Sequence, residues 1–311
     1  MNSHYQQIDI AFPAWDDAET VALRHLLPLL TPPHGPITRW WFIRKRPCWR
    51  IRYLNRDTGA AAAHEPLHGR LAALADAGHI LSATTVIYEP EVGAFGGAEA
   101  MDCAHRLFHD DTRHLLGHLA LTRHRPAAAH RYELAILLCV ALMRAAGLDW
   151  YEEGDVWARV AAHRTPAPPR LDQLGKLRRL MSTDLTVACR PGAGVADHAE
   201  WARSFTSGGR RLAELARTGR LERGLRAVLA HHVIFTWNRH GLPHAVQAAL
   251  ASSAATVVFD DHPAHDAPPH RRNDADQART TPSHTLPAHA PAPPGAATAA
   301  SVPARLVIDR M

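Results

Sequence analysis

The sequence predicts an α+β fold: an N-terminal strand-rich unit with an arginine-bearing hairpin, packed against a mostly helical C-terminal part. Three observations indicate this class. Strand and helix patterns are mixed in about the first hundred residues, a hairpin pattern occupies residues 39–53, and almost only helical patterns follow. Strands first and helices later are typical of an α+β domain rather than of a doubly wound sheet.

Each element of the first unit follows from a local pattern. Residues 7–12 have the composition of a strand. Residues 16–30 carry acidic side chains in the first turn and apolar ones near a period of 3.6, which predicts a helix. Beyond the hairpin, the pattern predicts a helix at 67–77 that ends at Gly78, a strand at 80–88 and a long helix at 98–121.

The second unit is predicted to be almost wholly helical. A strongly apolar helix at 132–146 ends at Gly147, and Asp155 is expected to cap the helix that carries Trp157. The predicted helices after residue 150 are 155–163, 171–182, 196–218 and 221–240.

The chain is predicted to divide at Asp261. Residues 1–261 have the texture of one folded domain, whereas residues 262–311 are rich in Pro, Ala and His. The second stretch has almost nothing to bury, so we expect a disordered tail whose removal leaves the melting temperature nearly unchanged.

Composition limits the class of protein. The 311 residues carry a formal net charge of +5, which permits an acidic partner without requiring one. The four cysteines are scattered and form no CxxC pair, which argues against zinc ribbons and thioredoxin chemistry. No secretory signal or membrane-length apolar run is recognisable, so we expect a cytoplasmic protein that does not enter a membrane.

The hairpin is the most informative stretch. Arg50 and Arg52 lie two residues apart on its second strand, so their side chains point to the same face. Two guanidinium groups on one face repel each other unless an anion lies between them, and arginine suits carboxylate or phosphate. From spacing alone, a solvated edge strand explains the pattern equally well.

The hairpin is also the first of an ordered set of motifs. It contains Trp41-Phe42-Ile43-Arg44 and Trp49-Arg50-Ile51-Arg52, and the other motifs lie at 88–97, 104–111, 146–157 and 237–242. Together they resemble the thiopeptide-type bacteriocin biosynthesis domain, which is the same as the C-terminal elimination domain of lantibiotic dehydratases. The resemblance covers roughly residues 5–255.

The resemblance implies maturation of a ribosomally made peptide. In lantibiotic dehydratases a separate, larger domain glutamylates Ser or Thr from glutamyl-tRNA, and the C-terminal domain eliminates glutamate to leave a dehydroamino acid. We therefore expect a precursor peptide as substrate and a glutamylating, tRNA-Glu-dependent dehydratase subunit as partner. We expect no cofactor, no metal and no direct nucleic-acid contact.

Elimination chemistry gives the candidate residues their roles. A base must remove a poor α-proton while cations stabilise the enolate-like charge and the departing carboxylate. The resemblance implies Arg50 and Arg52 as catalytic cations, with His232 as the candidate base. The residues expected to bind substrate are Arg44, Glu91, Gly96 and Gly97.

Two departures from the family pattern keep other functions open. Ala94 occupies the slot where the dehydratases place an arginine. The histidine expected shortly before Asn238 is displaced, and a shift of two residues to His232 is a rotation of about 200° on a helix. Three hypotheses remain: glutamate elimination, a formal 4+2 cycloaddition of two dehydroalanines as in some thiopeptide relatives, and a non-catalytic peptide-binding subunit of a dehydratase.

Other patterns allow weaker hypotheses. His105 and His109 lie four apart on one helix face and could bind a metal, although solvated histidines are the commoner reading of such a pair. Glu89 and Glu91 fit a structural network with Arg44 or Arg50 better than acid–base catalysis. The glycine loop at 93–97 lacks the lysine of a phosphate-binding P-loop.

Overall fold

The computed structural model describes residues 5–32, 35–56, 60–124, 130–189 and 198–260. Within them the α+β class is confirmed, because the strands all lie in the N-terminal part and helices follow. The predicted tail at 262–311 lies outside the described residues.

A four-stranded antiparallel sheet forms the N-terminal unit, in the order β2-β3-β1-β4. The predicted hairpin is confirmed as its β2–β3 pair. The strands are β1 (Gln6–Ala11), β2 (Ile37–Lys45), β3 (Cys48–Asn55) and β4 (Ser82–Val86).

Helices pack on both faces of the sheet and form the rest of the described domain. In the first unit they are α1 (Ala18–Val21), α2 (Leu27–Leu30), α3 (Ala60–Asp76), α4 (Val92–Phe95) and α5 (Ala98–Thr122), and a π-helical turn (Ala22–Leu26) joins α1 to α2. Those that follow are α6 (Arg131–Ala145), α7 (Trp150–Ala162), α8 (Leu174–Ser182), α9 (Leu185–Ala188), α10 (Ala199–Arg217), α11 (Leu225–His240) and α12 (His244–Phe259).

Two details of the helices correct the sequence prediction. The cap of α7 is Asp149, not Asp155: its carboxylate accepts from the Glu152 N–H at 2.8 Å, and the Glu152 side chain accepts from the Asp149 N–H in return. Asp155 instead pairs with Arg159 one turn later. The helix α12 was not predicted at all, because it is apolar on most of its circumference and shows no amphipathic period.

The two faces of the sheet pack against different partners. Phe42, Trp49 and Ile51 belong to the main core, together with residues of the N-terminal helices. On the opposite face, Trp41 packs with Phe108 of α5 in a smaller aromatic cluster. Side chains alternate along a strand, so Arg50 and Arg52 share the second face with Trp41.

A fully buried ionic network ties α5, α10 and α11 together. The Asp111 carboxylate accepts from Arg239 Nε at 2.7 Å and from Trp201 Nε1 at 2.9 Å, and lies 3.1 Å from His240 Nε2. Although burial alone would raise it, the pKa of Asp111 is lowered to about 2 by the charges of Arg239 and His240. The network fixes the last turn of α11, which forms one wall of the site described next.

None of the helices in the described ranges combines the length and apolarity that a bilayer crossing requires.

Candidate functional site

A cleft of ≈ 780 Å³ lies where the hairpin meets the α11–α12 turn, and we call it the basic cleft. One carboxylate, that of Glu91, lines it among the described residues. Six cationic side chains face the same space, and they are Arg44, Lys45, Arg46, Arg50, Arg52 and Arg164. Such an excess of positive charge in a concave site attracts anions.

The strand register aligns the two hairpin arginines with polar partners on β1. Arg52 lies opposite Gln7, and its Nε donates to Gln7 Oε1 at 2.8 Å. Arg50 lies opposite Asp9, with 3.7 Å between Arg50 Nε and the carboxylate. The Arg52 side chain is 5% exposed and that of Arg50 34% exposed, so Arg52 is the enclosed member of the pair.

Arg52 contacts two aromatic rings that stand nearly perpendicular to each other, at 80° with 6.1 Å between their centroids. Its guanidinium carbon lies 4.4 Å from the ring centroids of both Trp41 and Tyr88. Its Nη2 is 3.6 Å from a Glu91 oxygen, whereas its Nη1 is buried without a hydrogen-bond partner among the described residues. Burial lowers the pKa of Arg52, but a guanidinium stays charged at neutral pH. The group therefore presents a preoriented donor that lacks an acceptor.

Arg44 occupies the other end of the cleft. Its Nη1 donates to Glu19 at 2.8 Å and its Nε to the main-chain oxygen of Arg239 at 2.8 Å, while its guanidinium carbon lies 4.5 Å from the Trp49 ring centroid. Its Nη2 is buried and has no partner in the described chain. Burial lowers the pKa of Arg44 to about 10, so this second donor group is also charged at neutral pH.

Tyr88 connects the cleft to His105. The Tyr88 hydroxyl forms a 2.9 Å hydrogen bond with His105 Nε2. Burial and the charge of Arg52 lower the pKa of His105 to about 4, so this histidine is neutral at pH 7. His109 instead contacts the Trp40 main chain through its Nδ1, so the two histidines do not share a site. The described residues hold no group of three or more potential metal ligands.

Gly96 and Gly97 do not line the basic cleft. Both have positive φ, of 86° and 105°, and a Cβ at these positions would lie 2.8 Å from Leu221 and 2.6 Å from Glu222. The glycines therefore allow the segment before α11 to pack tightly on their loop. That segment also brings an arginine to Ala94, whose oxygen accepts from Arg223 Nη1 at 3.3 Å.

His232 is also placed away from the cleft. It is fully buried, its ring centroid lies 5.0 Å from that of Phe95, and neither ring nitrogen has a partner among the described residues. Burial lowers its pKa to about 3. The α11 face that meets the cleft carries Phe235 and Asn238, and the half-buried His231 lies on that face one turn earlier. His231 precedes Phe235 by four residues and Asn238 by seven, which places all three on one face of the helix. Sequence reasoning missed this spacing.

Sequence reasoning also missed the second wall of the cleft. Arg164 follows α7, and the turn of Gly241 to His244 joins α11 to α12. Gly241 has a φ of 77°, and a Cβ there would lie 3.2 Å from the Arg44 guanidinium. No local pattern indicates these contacts, because they join segments far apart in the chain.

Solved structures share this fold at low identity. The "tRNA dependent lantibiotic dehydratase MibB from Microbispora sp. 107891" matches with a TM-score of 0.64 and 18% identity, over 82% of this chain and 28% of that one. The "Pyridine synthase, TbtD, from thiomuracin biosynthesis" matches with a TM-score of 0.54 and 18% identity, over 83% of this chain and 98% of that one. TsrL matches with a TM-score of 0.53 and 17% identity, over 82% and 95%.

These likenesses concern the fold alone, and the chain spans a little over a quarter of MibB. No curated protein sequence matches the chain significantly. A family match is the decisive comparison, because residues 7–258 match the family described as "Lantibiotic biosynthesis dehydratase C-term". The chain therefore belongs to the family of lantibiotic biosynthesis dehydratase C-terminal domains, which serves the maturation of ribosomally made peptides.

Proposed function

We propose that the basic cleft eliminates glutamate from glutamylated Ser or Thr residues of a precursor peptide. The observation that carries the proposal is the enclosed Arg52 guanidinium, which contacts two aromatic rings and has Nη1 unpartnered in the described chain. A carboxylate that leaves during the reaction is an acceptor of the right charge and shape for this group. Family membership supports the same peptide chemistry.

In the proposed reaction a base takes the α-proton of the glutamylated residue. The electron pair left on Cα forms the new Cα–Cβ double bond, and the bond from Cβ to the ester oxygen breaks, so glutamate departs as a carboxylate. Arg52 stabilises the negative charge as it develops, and Arg50 shares this role from the same face of β3. The product is dehydroalanine from Ser or dehydrobutyrine from Thr.

We assign the base to Glu91 rather than to His232. His232 is enclosed by phenylalanine rings, so a substrate that stays in the cleft does not reach its ring nitrogens. Glu91 and His244 are the lining side chains of the described chain that can accept a proton. Of the two, Glu91 is the one placed beside Arg52, at 3.6 Å. A proton acceptor next to the charge-stabilising cation fits the geometry that the reaction needs.

The test is incubation with a glutamylated precursor and the glutamylating partner, with glutamate release and peptide mass as readouts. We expect free glutamate and dehydroamino acids from the unaltered protein. Arg52→Ala should slow release by about 10²–10³ and let glutamyl adducts accumulate. Arg203→Ala removes an exposed arginine of α10 and serves as the control that keeps activity. Failure of the unaltered protein to release glutamate would refute the proposal.

A second candidate function is the formal 4+2 cycloaddition of two dehydroalanines. The observation that favours it is the match over 98% of the pyridine synthase TbtD. A peptide that already carries two dehydroalanines distinguishes the candidates, because a cycloaddition enzyme consumes it without glutamate release. A protein that does neither, yet binds the precursor, is an accessory subunit.

A further inference from the structure

We propose that the α12 end of the basic cleft is a second anion-binding subsite, which takes the carboxylate of an acidic side chain of the peptide. It is separate from the part of the cleft where Arg50 and Arg52 bind the departing glutamate. The inference rests on the proposed function for one point, that the ligand is a peptide. The subsite is formed by Arg164, Asn238 and the first turn of α12.

Arg164 brings a positive charge that its acceptors do not neutralise. Its Nε and Nη2 both donate to the Gln247 side-chain oxygen, at 3.0 and 2.6 Å, and its Nη1 donates to the main-chain oxygen of His163 at 3.0 Å. These acceptors are a carboxamide and a carbonyl, so the guanidinium is oriented but keeps its full charge. A ligand carboxylate supplies the missing counter-charge.

Asn238 adds donors of fixed direction. Its side-chain oxygen accepts from Gln247 Nε2 at 2.9 Å, and Gln247 Nε2 also donates to the Leu242 oxygen at 2.7 Å. Because the oxygen of Asn238 is engaged with fully buried Gln247, its amide nitrogen is the group left for a ligand in the cleft.

The N-terminus of α12 contributes further donors. Pro243 is its N-cap, so the first-turn N–H groups receive no acceptor from an N-cap side chain. The adjoining Gly241 packs against Arg44, whose buried Nη2 is also without a partner in the described chain. The partial positive charge at the start of this 16-residue helix therefore lies at the same end of the cleft as the unpartnered guanidinium nitrogen of Arg44.

A peptide carboxylate suits this geometry better than an RNA phosphate backbone does. The ≈ 780 Å³ cleft lies within the size range of small-ligand pockets and admits a short extended segment, whereas an RNA helix is too wide to enter. The expected substrate is thus an acidic peptide, with a carboxylate side chain near the residue that is modified.

The test uses a fluorescein-labelled pentaglutamate peptide as the ligand and pentaglutamine as its neutral counterpart, with fluorescence anisotropy at low salt. We expect the unaltered protein to bind pentaglutamate and not pentaglutamine, with affinity that falls as salt rises. Arg164→Gln should weaken binding by about tenfold or more. Asn238→Asp keeps the acceptor for Gln247 but places a negative oxygen in the subsite, and should weaken binding at least as much.

The matched control is Arg217→Gln, which removes the same charge from an exposed position of α10. Melting temperatures of all variants show whether they fold. Equal effects of Arg217→Gln and Arg164→Gln, no effect of either cleft variant, or preference for a single-stranded RNA oligomer over pentaglutamate would overturn the proposal. Because the readout is binding, absence of glutamate release refutes the proposed function while leaving the subsite intact.

Discussion

The guanidinium of Arg52 lies over the Tyr88 ring, with 4.4 Å from its carbon to the ring centroid. Trp41 contacts the guanidinium at the same distance, because the strand register places it directly opposite Arg52, and its ring stands at 80° to that of Tyr88. Tyr88 comes from outside the sheet, just after β4, and is tied to His105 through its hydroxyl. The ring and the hydroxyl therefore have separable roles.

Substitution of Tyr88 separates these two roles. We expect Tyr88→Ala to reduce glutamate release by about tenfold or more, because Arg52 loses one of its two aromatic contacts. Tyr88→Phe keeps the ring and loses the hydrogen bond to His105, so we expect release within about threefold of the unaltered protein. Rate measurements on a glutamylated peptide check this, and a Phe variant as slow as the Ala variant would contradict the role of the ring contact.

Loss of Asp111 should destabilise the domain strongly. Asp111→Ala leaves the fully buried Arg239 without its counter-charge, so we expect the free energy of unfolding to fall by about 3–5 kcal/mol. Asp155→Ala removes a carboxylate from exposed pairs with Arg159 and Arg226 and should cost less than about 1 kcal/mol. Urea denaturation measures both, and similar losses would count against the network.

The buried histidines should make the domain sensitive to acid. The pKa of His232 is about 3 in the folded protein, against about 6.5 in an unfolded chain, so the unfolded state binds the proton first. Stability is therefore lost as pH falls from about 6.5 towards 3, by about 1.4 kcal/mol per pH unit for each such histidine. His105 contributes in the same direction, down to a folded pKa of about 4.

His232→Leu is the variant that tests this slope. We expect a flatter dependence of the free energy of unfolding on pH between about 4.5 and 6, since one of the proton-linked groups is gone. Urea denaturation at several pH values gives the slope directly. A slope equal to that of the unaltered protein would show that His232 is protonated in the folded state.

Substitutions of Gly241 and Gly219 form a matched pair that tests whether Arg44 contributes to ligand binding in the cleft. Both have positive φ, of 77° and 70°, but a Cβ at Gly219 meets nothing within 4 Å, whereas one at Gly241 meets Arg44. We expect Gly219→Ala and Gly241→Ala to lose similar stability, about 1 kcal/mol, from backbone strain. Only Gly241→Ala should also weaken pentaglutamate binding, because it displaces Arg44. Thermal melting and anisotropy together give the comparison.

The sequence predicts those parts of the site that depend on local periodicity. The hairpin and the common face of Arg50 and Arg52 follow from the period of two along a strand, and the structure places both in one cleft. The spacing Asp149-x-x-Glu152 is a capping-box pattern that identifies the start of α7, six residues before the predicted cap Asp155.

The remaining parts depend on tertiary contacts that no local pattern encodes. The helix α12 carries small or apolar residues at most of its partly exposed positions as well as on its buried face, so its sequence lacks the alternation that marks an amphipathic helix. Arg164 reaches the cleft through Gln247, which is 83 residues away in the chain. The sequence predicts Arg44 or Arg50 as the partner of Glu91, whereas the loop between β4 and α4 brings Glu91 to Arg52.

The long-range contacts of Arg44 determine when the site forms during folding. Its Nε bonds to an oxygen 195 residues further along the chain, while its Nη1 bonds to Glu19, 25 residues earlier. Contacts of such sequence separation require a large loss of chain entropy before they form. The cleft is therefore absent from any partly folded chain that has built the sheet alone. A ligand that binds it stabilises the whole domain at once, and ligand-induced protection should extend cooperatively from β2 to α12.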